Sequence, residues 1–325
     1  MKSVVIKRFG GPEVLEVCDQ PIPHPGHGDV LIQVQATSLN YADVKARMGQ
    51  YHNAGQPPFT PGLDVMGTVT ARGDGVTTIE IGQRVIAFPL HGAHSQYALA
   101  DAALTYALPD GVDAHAAAAF PTVGVTSYEV LHSVARLQPG ETVLIHAAAG
   151  GVGTTALQLA KLAGAGRVIA TVGSEEKRAI ALQFGADEVI NYETEPFADC
   201  VLDMTNGHGV DVILDSVAGE VLAQGLRCLA RFGRLVVFGN ASGEPGLVSS
   251  YDLHGSCRSV LGYSMGTTRR YRPDALRPSV DAALRLLAEG QLRMHIGATF
   301  ALSEIADAHR LLESRHSVGK ILLLP

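Results

Sequence analysis

Four cysteines in 325 residues, Cys18, Cys200, Cys228 and Cys257, are too few and too far apart for a C-x-x-C pair or a disulfide framework. They are expected to be buried small residues. No apolar run approaches the ~20 residues needed to span a bilayer. The opening residues, Met1-Lys2-Ser3-Val4-Val5-Ile6, lack the long apolar region of a secretory signal and pass directly into a strand pattern, so a cytoplasmic protein is expected. Charge is also scarce, at 18% against 46% hydrophobic residues, which is enough apolar material for large cores in two domains of ordinary size. The net charge of −7 argues against nucleic acid or an anionic membrane as a partner. Internal repeats and low-complexity linkers are absent. Among thirteen histidines, His91 and His94 come closest to a ligand pair, but no third ligand of suitable spacing accompanies them. They read as exposed loop histidines, and no metal is expected.

What is present is concentrated between residues 141 and 162. Thr142 to His146 has the content of a buried parallel strand, the glycine cluster Gly150-Gly151-Val152-Gly153 follows, and Val152 to Leu162 has helical spacing. Strand, tight turn and helix without slack aim backbone N–H groups and the positive end of a helix dipole at one point, which suits a pyrophosphate. The spacing Ala147-x-x-Gly150-x-x-Gly153 is a variant of the dinucleotide fingerprint with alanine in first place. A second strand, Arg167 to Val172, ends in Gly173-Ser174-Glu175-Glu176-Lys177, where an NAD enzyme would present an acid to the ribose 2′-OH. Ser174 and Lys177 are instead donors for a 2′-phosphate, so NADPH is favoured over NADH. Glu175 and Glu176 suit the first turn of a helix and are expected to face solvent.

Strand and helix continue to alternate through Glu188–Ile190, Cys200–Met204, Val210–Asp215, Glu220–Ala230 and Arg234–Phe238, which predicts a doubly wound parallel α/β sheet. Residues 1 to about 110 instead show short strands separated by turn signals such as Gly10-Gly11-Pro12 and Arg72-Gly73-Asp74-Gly75, a mostly β domain of barrel-like character. The last sixty residues hold amphipathic helices at Pro273–Glu289 and Ser303–Ser314 and a closing strand at Lys320–Leu324. A nucleotide domain inserted into another domain explains this order, with the closing strand returning to the N-terminal sheet and the coenzyme in a cleft between domains.

The segments Asn40-Tyr41-Ala42-Asp43 through Tyr51, Pro61-Gly62-Leu63-Asp64-Val65-Met66-Gly67, Gly82-Gln83-Arg84-Val85, the Ala147 to Gly153 loop, Gly185-Ala186-Asp187, Asp215-Ser216-Val217, Phe238-Gly239-Asn240 and Gly319-Lys320 complete the picture. Together they resemble the zinc-free quinone oxidoreductase branch of the medium-chain dehydrogenase/reductase superfamily, over nearly the whole chain. The resemblance implies a GroES-like catalytic domain, residues 1–122 and 266–325, holding an inserted Rossmann domain, residues 123–265. Zinc-dependent members of the superfamily hold the metal with an early cysteine and a later histidine-glutamate pair. The matching segments here read Leu39-Asn40-Tyr41 and Gly62-Leu63-Asp64, and no cysteine lies between Cys18 and Cys200. Without a Lewis acid, reduction of a conjugated acceptor is easier to support than alcohol oxidation.

By the same resemblance, Asn40 and Tyr51 stand beside the nicotinamide and substrate. Asn40 would hydrogen-bond near the carboxamide or the acceptor oxygen. Tyr51 is either a donor to that oxygen or an amphipathic side chain covering the site, and the following His52-Asn53 departs from the proline common in the family. Asp43 is expected to anchor its loop. Gly150, Gly151, Val152 and Gly153 match the pyrophosphate loop, and Ser174, Lys177 and Tyr192 match contacts to the 2′-phosphate, with Tyr192 alternatively a cap under the adenine. Thr126 matches a residue near the nicotinamide phosphate, or else caps a helix that starts there. Phe238, Gly239 and Asn240 would line the nicotinamide ribose.

The expected function is NADPH-dependent reduction of a quinone or activated alkene, by a homodimer as in relatives. The alternatives are a strict enone or enoyl-thioester reductase, and a non-catalytic NADPH-binding sensor or RNA-binding protein.

Overall fold

In the computed structural model of the chain, which describes residues 1–52, 55–89 and 92–325, every strand predicted between residues 142 and 238 is present. The chain forms two compact units, one of residues 1–125 with 265–325 and one of residues 126–264.

The first unit is built on β-strands. β1 (Lys2–Ile6) pairs antiparallel with β2 (Leu15–Asp19). β3 (Asp29–Leu39) is the organising strand, because it pairs antiparallel with both β4 (Val65–Arg72) and β6 (Tyr97–Asp101). Register shifts between Leu31 and Ile32 and between Val34 and Ala36 bend it, as bulges do. β5 (Arg84–Ala87) and β7 (Thr105–Ala107) extend the sheet beyond β4. Val30, Ile32, Val34, Val65, Val69 and Val85 fill its interior; this β-branched set packs well on a pleated surface.

The second unit is a six-stranded parallel sheet of β8 (Thr142–Ile145), β9 (Arg167–Val172), β10 (Glu188–Asn191), β11 (Val210–Asp215), β12 (Leu229–Val237) and β13 (Ser259–Gly262). Their order is β10-β9-β8-β11-β12-β13. The chain runs outward from β8 through β9 to β10 and then returns to the other side of β8. The carboxyl ends of β8 and β11 therefore flank the switch point where such sheets bind ligands. Val143, Leu144, Ile145, Ile213 and Leu214 are essentially inaccessible, as a sheet covered on both faces requires.

The chain is back in the first unit from residue 265, and there β14 (Ile296–Ala301) runs parallel to β15 (Lys320–Leu324). β15 pairs antiparallel with the end of β3, Ile321 opposite Leu39, so the predicted return of the closing strand to the N-terminal sheet is present.

Several sequence expectations need correction. The helix predicted over Glu220–Ala230 stops at Cys228, and the strand predicted from Arg234 already starts at Leu229. Leu229 and Ala230 keep the helix's apolar spacing but are buried beside β11. Val210 faces Leu229 while Val212 faces Arg234, so β12 carries extra residues there. Phe232 sits in the excess, at φ 64° and 71% exposed. Pro273–Glu289 is a 3-10 turn, Pro273–Leu276, followed by a helix, Arg277–Ala288. Of the cysteines only Cys228 is buried, and Cys257 is exposed. His94 is fully buried, contrary to the exposed-loop reading, and His91 lies outside the described residues.

Candidate functional site

The glycine turn follows β8 directly. Ala147, the residue at the first fingerprint position, takes φ 51°, a left-handed conformation that glycine adopts at lower cost. Gly150, extended at φ −80° and ψ 178°, N-caps the helix Gly151–Leu162, and no side chain caps that end. A helix N-terminus without a side-chain acceptor leaves its first N–H groups for a ligand. At Gly153 an added Cβ would fall 2.5 Å from Ala148 Cα, so the turn and the helix touch backbone to backbone. At Gly150 the nearest atom to such a Cβ is Ala147 O at 3.3 Å. Internal packing therefore demands glycine at 153 much more than at 150.

The end of β9 lies on the same carboxyl edge. Ser174 N-caps the helix Glu175–Gln183, its Oγ accepting the Lys177 N–H at 3.4 Å, which leaves the hydroxyl hydrogen to donate elsewhere. Lys177 is half-buried, and burial pushes its ammonium pKa down. Glu175 and Glu176 are exposed, as expected, and Glu175 is occupied by Arg178 and Asn191. Tyr192 follows β10, its N–H donating to Val172 O, and its hydroxyl stands over Gly173, where a Cβ would meet it at 2.5 Å. Gly173, Ser174 and Tyr192 are thus side by side, and no acid caps the strand.

Three residues of this edge carry no role in the sequence reading. His146 directly follows β8, Thr171 is the penultimate residue of β9 and Asp215 is the last of β11, each one position past the pairs Ile145–Ala170 and Ile145–Leu214. His146 Nδ1 is 2.9 Å from Thr171 Oγ1, and burial pushes the imidazole pKa down, with Asp215 opposing. Asp215 Oδ1 accepts the N–H groups of Val217 at 2.7 Å and Ala218 at 2.9 Å, which shapes the turn leaving β11. Their signal in the sequence is a polar residue at the end of an apolar strand run. Phe238 and Gly239 stand beside this turn: Phe238 N–H donates to Asp215 O, and a Cβ on Gly239 would meet Ser216 O at 2.7 Å. Asn240 is exposed, and its Oδ1 accepts from Gly243 N at 3.0 Å.

Thr126 is placed differently from expectation. It is the sixth residue of the helix Pro121–Tyr128 and is buried, so it does not start or cap a helix.

In the first unit, Asn40 N-caps the short helix Tyr41–Arg47 and belongs to a buried polar cluster. Asp43 Oδ2 accepts the Asn40 backbone N–H at 2.8 Å, the anchoring role expected of it, and burial pushes its carboxyl pKa up. Asn40 Nδ2 donates to Asp64 Oδ2 at 3.2 Å, and Ser38 Oγ donates to Asp64 Oδ1 at 2.7 Å. The Thr122 N–H also reaches Asp64 Oδ2, at 3.2 Å. Lys320 completes the cluster, donating to Asn40 Oδ1 at 2.7 Å and to Leu39 O at 2.9 Å. Burial pushes the Lys320 pKa down, and Asp64 and Asp43 pull it back up. The sequence reading names Lys320 as the start of the closing strand and within the Gly319-Lys320 match, but gives its side chain no role. Tyr51 is half-buried against His52, ring centroids 4.8 Å apart, and Asn53 lies outside the described residues. Among the described residues no group of three or more His, Cys, Asp and Glu side chains could hold a metal ion.

The chain resembles known proteins along its whole length. Residues 26–111 match the family described as the alcohol dehydrogenase GroES-like domain, and residues 151–289 match that described as zinc-binding dehydrogenase. The quinone oxidoreductase of Pseudomonas aeruginosa is 39% identical over 100% of this chain and 99% of its own. The Escherichia coli quinone oxidoreductase, solved in complex with NADPH, superposes with a TM-score of 0.94 at 32% identity, covering 100% of both chains. The quinone oxidoreductase of Pseudomonas syringae pv. Tomato gives 0.93 at 35% identity, covering 100% of this chain and 99% of its own.

Proposed function

From the premise that this chain belongs to the quinone oxidoreductase branch of the medium-chain dehydrogenase/reductase superfamily, we propose that it reduces a quinone or another activated alkene with NADPH, without zinc. The observation that carries the coenzyme reading is the end of β9, where Ser174 and Lys177 stand in place of an acid. A hydroxyl and a cation suit a 2′-phosphate, whereas a carboxylate there would repel it. The N-terminus of Gly151–Leu162, capped by no side chain and reached through a glycine turn, fits a pyrophosphate held by Gly150, Gly151, Val152 and Gly153.

NADPH, when bound, supplies the hydride. The chain's own residues bind, orient and exclude water. Asn40 and Tyr51 serve the reacting end, Thr126, Phe238, Gly239 and Asn240 the adjoining ribose and phosphate, and Tyr192 the adenosine end.

The absence of zinc from the reaction is supported by how Asn40 and Asp64 are used. Asn40 Oδ1 accepts the Lys320 ammonium, and both Asp64 oxygens accept hydrogen bonds. A second cation beside a buried ammonium would be repelled strongly at low dielectric. A quinone or enone spreads the arriving charge over its conjugated system, so hydrogen-bond donors suffice where an alkoxide would need a metal.

A homodimer is part of the same reading. β13 is an edge strand, and Phe232, Leu247 and Tyr251 leave large apolar side chains exposed on that unit. Among the described residues no helix is long and apolar enough to cross a membrane; a cytoplasmic location remains part of the proposal.

The test is NADPH oxidation with a panel of quinones and enones, run alongside metal analysis of the purified protein. Turnover with quinones at substoichiometric zinc is expected. Tight NADPH binding with no turnover across the panel would leave a sensor, and β-carbon reduction with little quinone turnover would leave an enone reductase.

A further inference from the structure

Asn40 carries an amide whose two ends differ in hydrogen-bonding character, and its neighbours can accept only one orientation of it. Lys320 has donors only, and it sits 2.7 Å from Oδ1. The Asp64 carboxylate accepts, and its Oδ2 sits 3.2 Å from Nδ2. The second Nδ2 hydrogen has the Ser38 carbonyl at 3.4 Å. Turning the amide over would set an NH2 group against an ammonium and a carbonyl oxygen against a carboxylate. Lys320 is itself held, since Nζ donates to Leu39 O and β15 is zipped to β3 by the Ile321–Leu39 pair. At 3% exposure it has no water to fall back on. A buried ammonium is costly to the fold unless paired, and the residue paired with it here is one assigned to the reaction.

We propose that Lys320 is the positioning residue of Asn40, locking the amide with its N–H groups turned inward so that Oδ1 is the only part of it able to meet a ligand. Asn40 then recognises a hydrogen-bond donor, such as the NH2 of a primary carboxamide, and does not donate to the acceptor's carbonyl oxygen. This rests on the reading above that Asn40 serves the reacting end, and it selects between the two partners considered for Asn40.

The test pairs an NMR measurement with a double-mutant cycle on the full-length protein. With asparagine labelled, the Asn40 side-chain NH2 of the unmodified protein gives two distinct resonances, exchanging with solvent at least about a hundred-fold slower than an exposed amide. Exchange at the exposed rate overturns the proposal before any variant is made. In Lys320→Met that protection drops by about ten-fold or more, and Lys320→Leu, which likewise offers Oδ1 no donor, substitutes if Lys320→Met does not fold. Unchanged protection in the folded variant overturns the proposal. In turnover, Asn40→Ala and the Lys320 variant each lower kcat/KM about ten-fold, and the double variant is no worse than Asn40→Ala. Multiplying losses would show that Lys320 acts independently of Asn40, against the proposal. Full activity of Asn40→Ala would instead remove Asn40 from the reaction and with it the ligand assignment, a failure of the premise that the exchange measurement separates from a failure of positioning.

Discussion

A Cβ on Gly153 would lie 2.5 Å from the carbonyl oxygen of Ala147, the residue that itself turns left-handed at the start of the same loop. The three nearest atoms to the added carbon are all backbone, so relief requires moving the turn. Gly153→Ala is expected to lower stability by about 1–3 kcal/mol and to weaken NADPH and NADH alike. Gly150→Val separates the two effects. The nearest neighbour of its Cβ, Ala147 O, would be 3.3 Å away, a tight contact but far milder than that at 153, while the isopropyl group fills the path of the pyrophosphate. Thermal melts and calorimetric titration read both, and a Gly150→Val protein with parental affinity would show that the loop does not hold the coenzyme.

The discrimination between coenzymes lies in Ser174 and Lys177. Lys177→Ala should weaken NADPH about ten-fold and leave NADH nearly unchanged, since only the former carries the phosphate. Ser174→Asp is the sharper probe. Aspartate N-caps as well as serine does, so the helix Glu175–Gln183 keeps its cap while a carboxylate arrives where the phosphate would lie. Dissociation constants for both coenzymes decide the matter, and equal losses for the two would refute the assignment.

How much of this was legible beforehand depended on whether a residue's role was local. The turn at Gly150 and the cap at Ser174 are short-range events, written in consecutive residues. β15 was readable as well, because Ile321, Leu322 and Leu323 form an apolar run with no alternative. Thr126 was misplaced because Val125-Thr126-Ser127 resembles a helix start, whereas the helix begins at Pro121, whose ring suits a first helical turn. β14 alternates between half-buried and exposed residues and gives too weak an apolar signal to be seen. The Asn40–Asp64–Lys320 cluster joins residues up to 280 positions apart, and no periodicity reports such a contact. His94 was misjudged for the same reason, since it is fully buried and its backbone bonds reach Val4 and Pro61, both distant in sequence.

The burial of Lys177 has a consequence in pH. Its pKa lies below the ordinary 10.5 because burial disfavours the charged form. A phosphate bound beside it raises that pKa, so NADPH binding takes up a proton wherever free Lys177 has lost one. NADPH affinity is therefore full below the free-protein pKa and falls as pH rises through it, beginning earlier than for an ordinary lysine. On the acid side a phosphate monoester loses its second charge near pH ~6, and affinity falls there too. The NADH-to-NADPH ratio of dissociation constants should show a plateau bounded on both sides. Lys177→Met should remove the alkaline limb and keep the acid one, and a wild-type ratio independent of pH would exclude a 2′-phosphate at this lysine.

Tyr51 is half-buried against the His52 ring, a placement that serves either as a proton donor or as a cover over the reacting groups. The acceptor distinguishes the two. A reduced enone must receive a proton at carbon before release, whereas a hydroquinone anion is stable enough to take its proton from water. If the hydroxyl delivers that proton, Tyr51→Phe should slow an enone by about 10²-fold or more while slowing a quinone far less. If the ring only excludes water, phenylalanine does so equally well and both rates should stay near the parental value. A solvent isotope effect on enone turnover should accompany the first outcome and shrink in the variant if a slower water-borne route takes over. Identical rates for wild type and Tyr51→Phe on both acceptors would remove the hydroxyl from the chemistry and leave the ring as a lid.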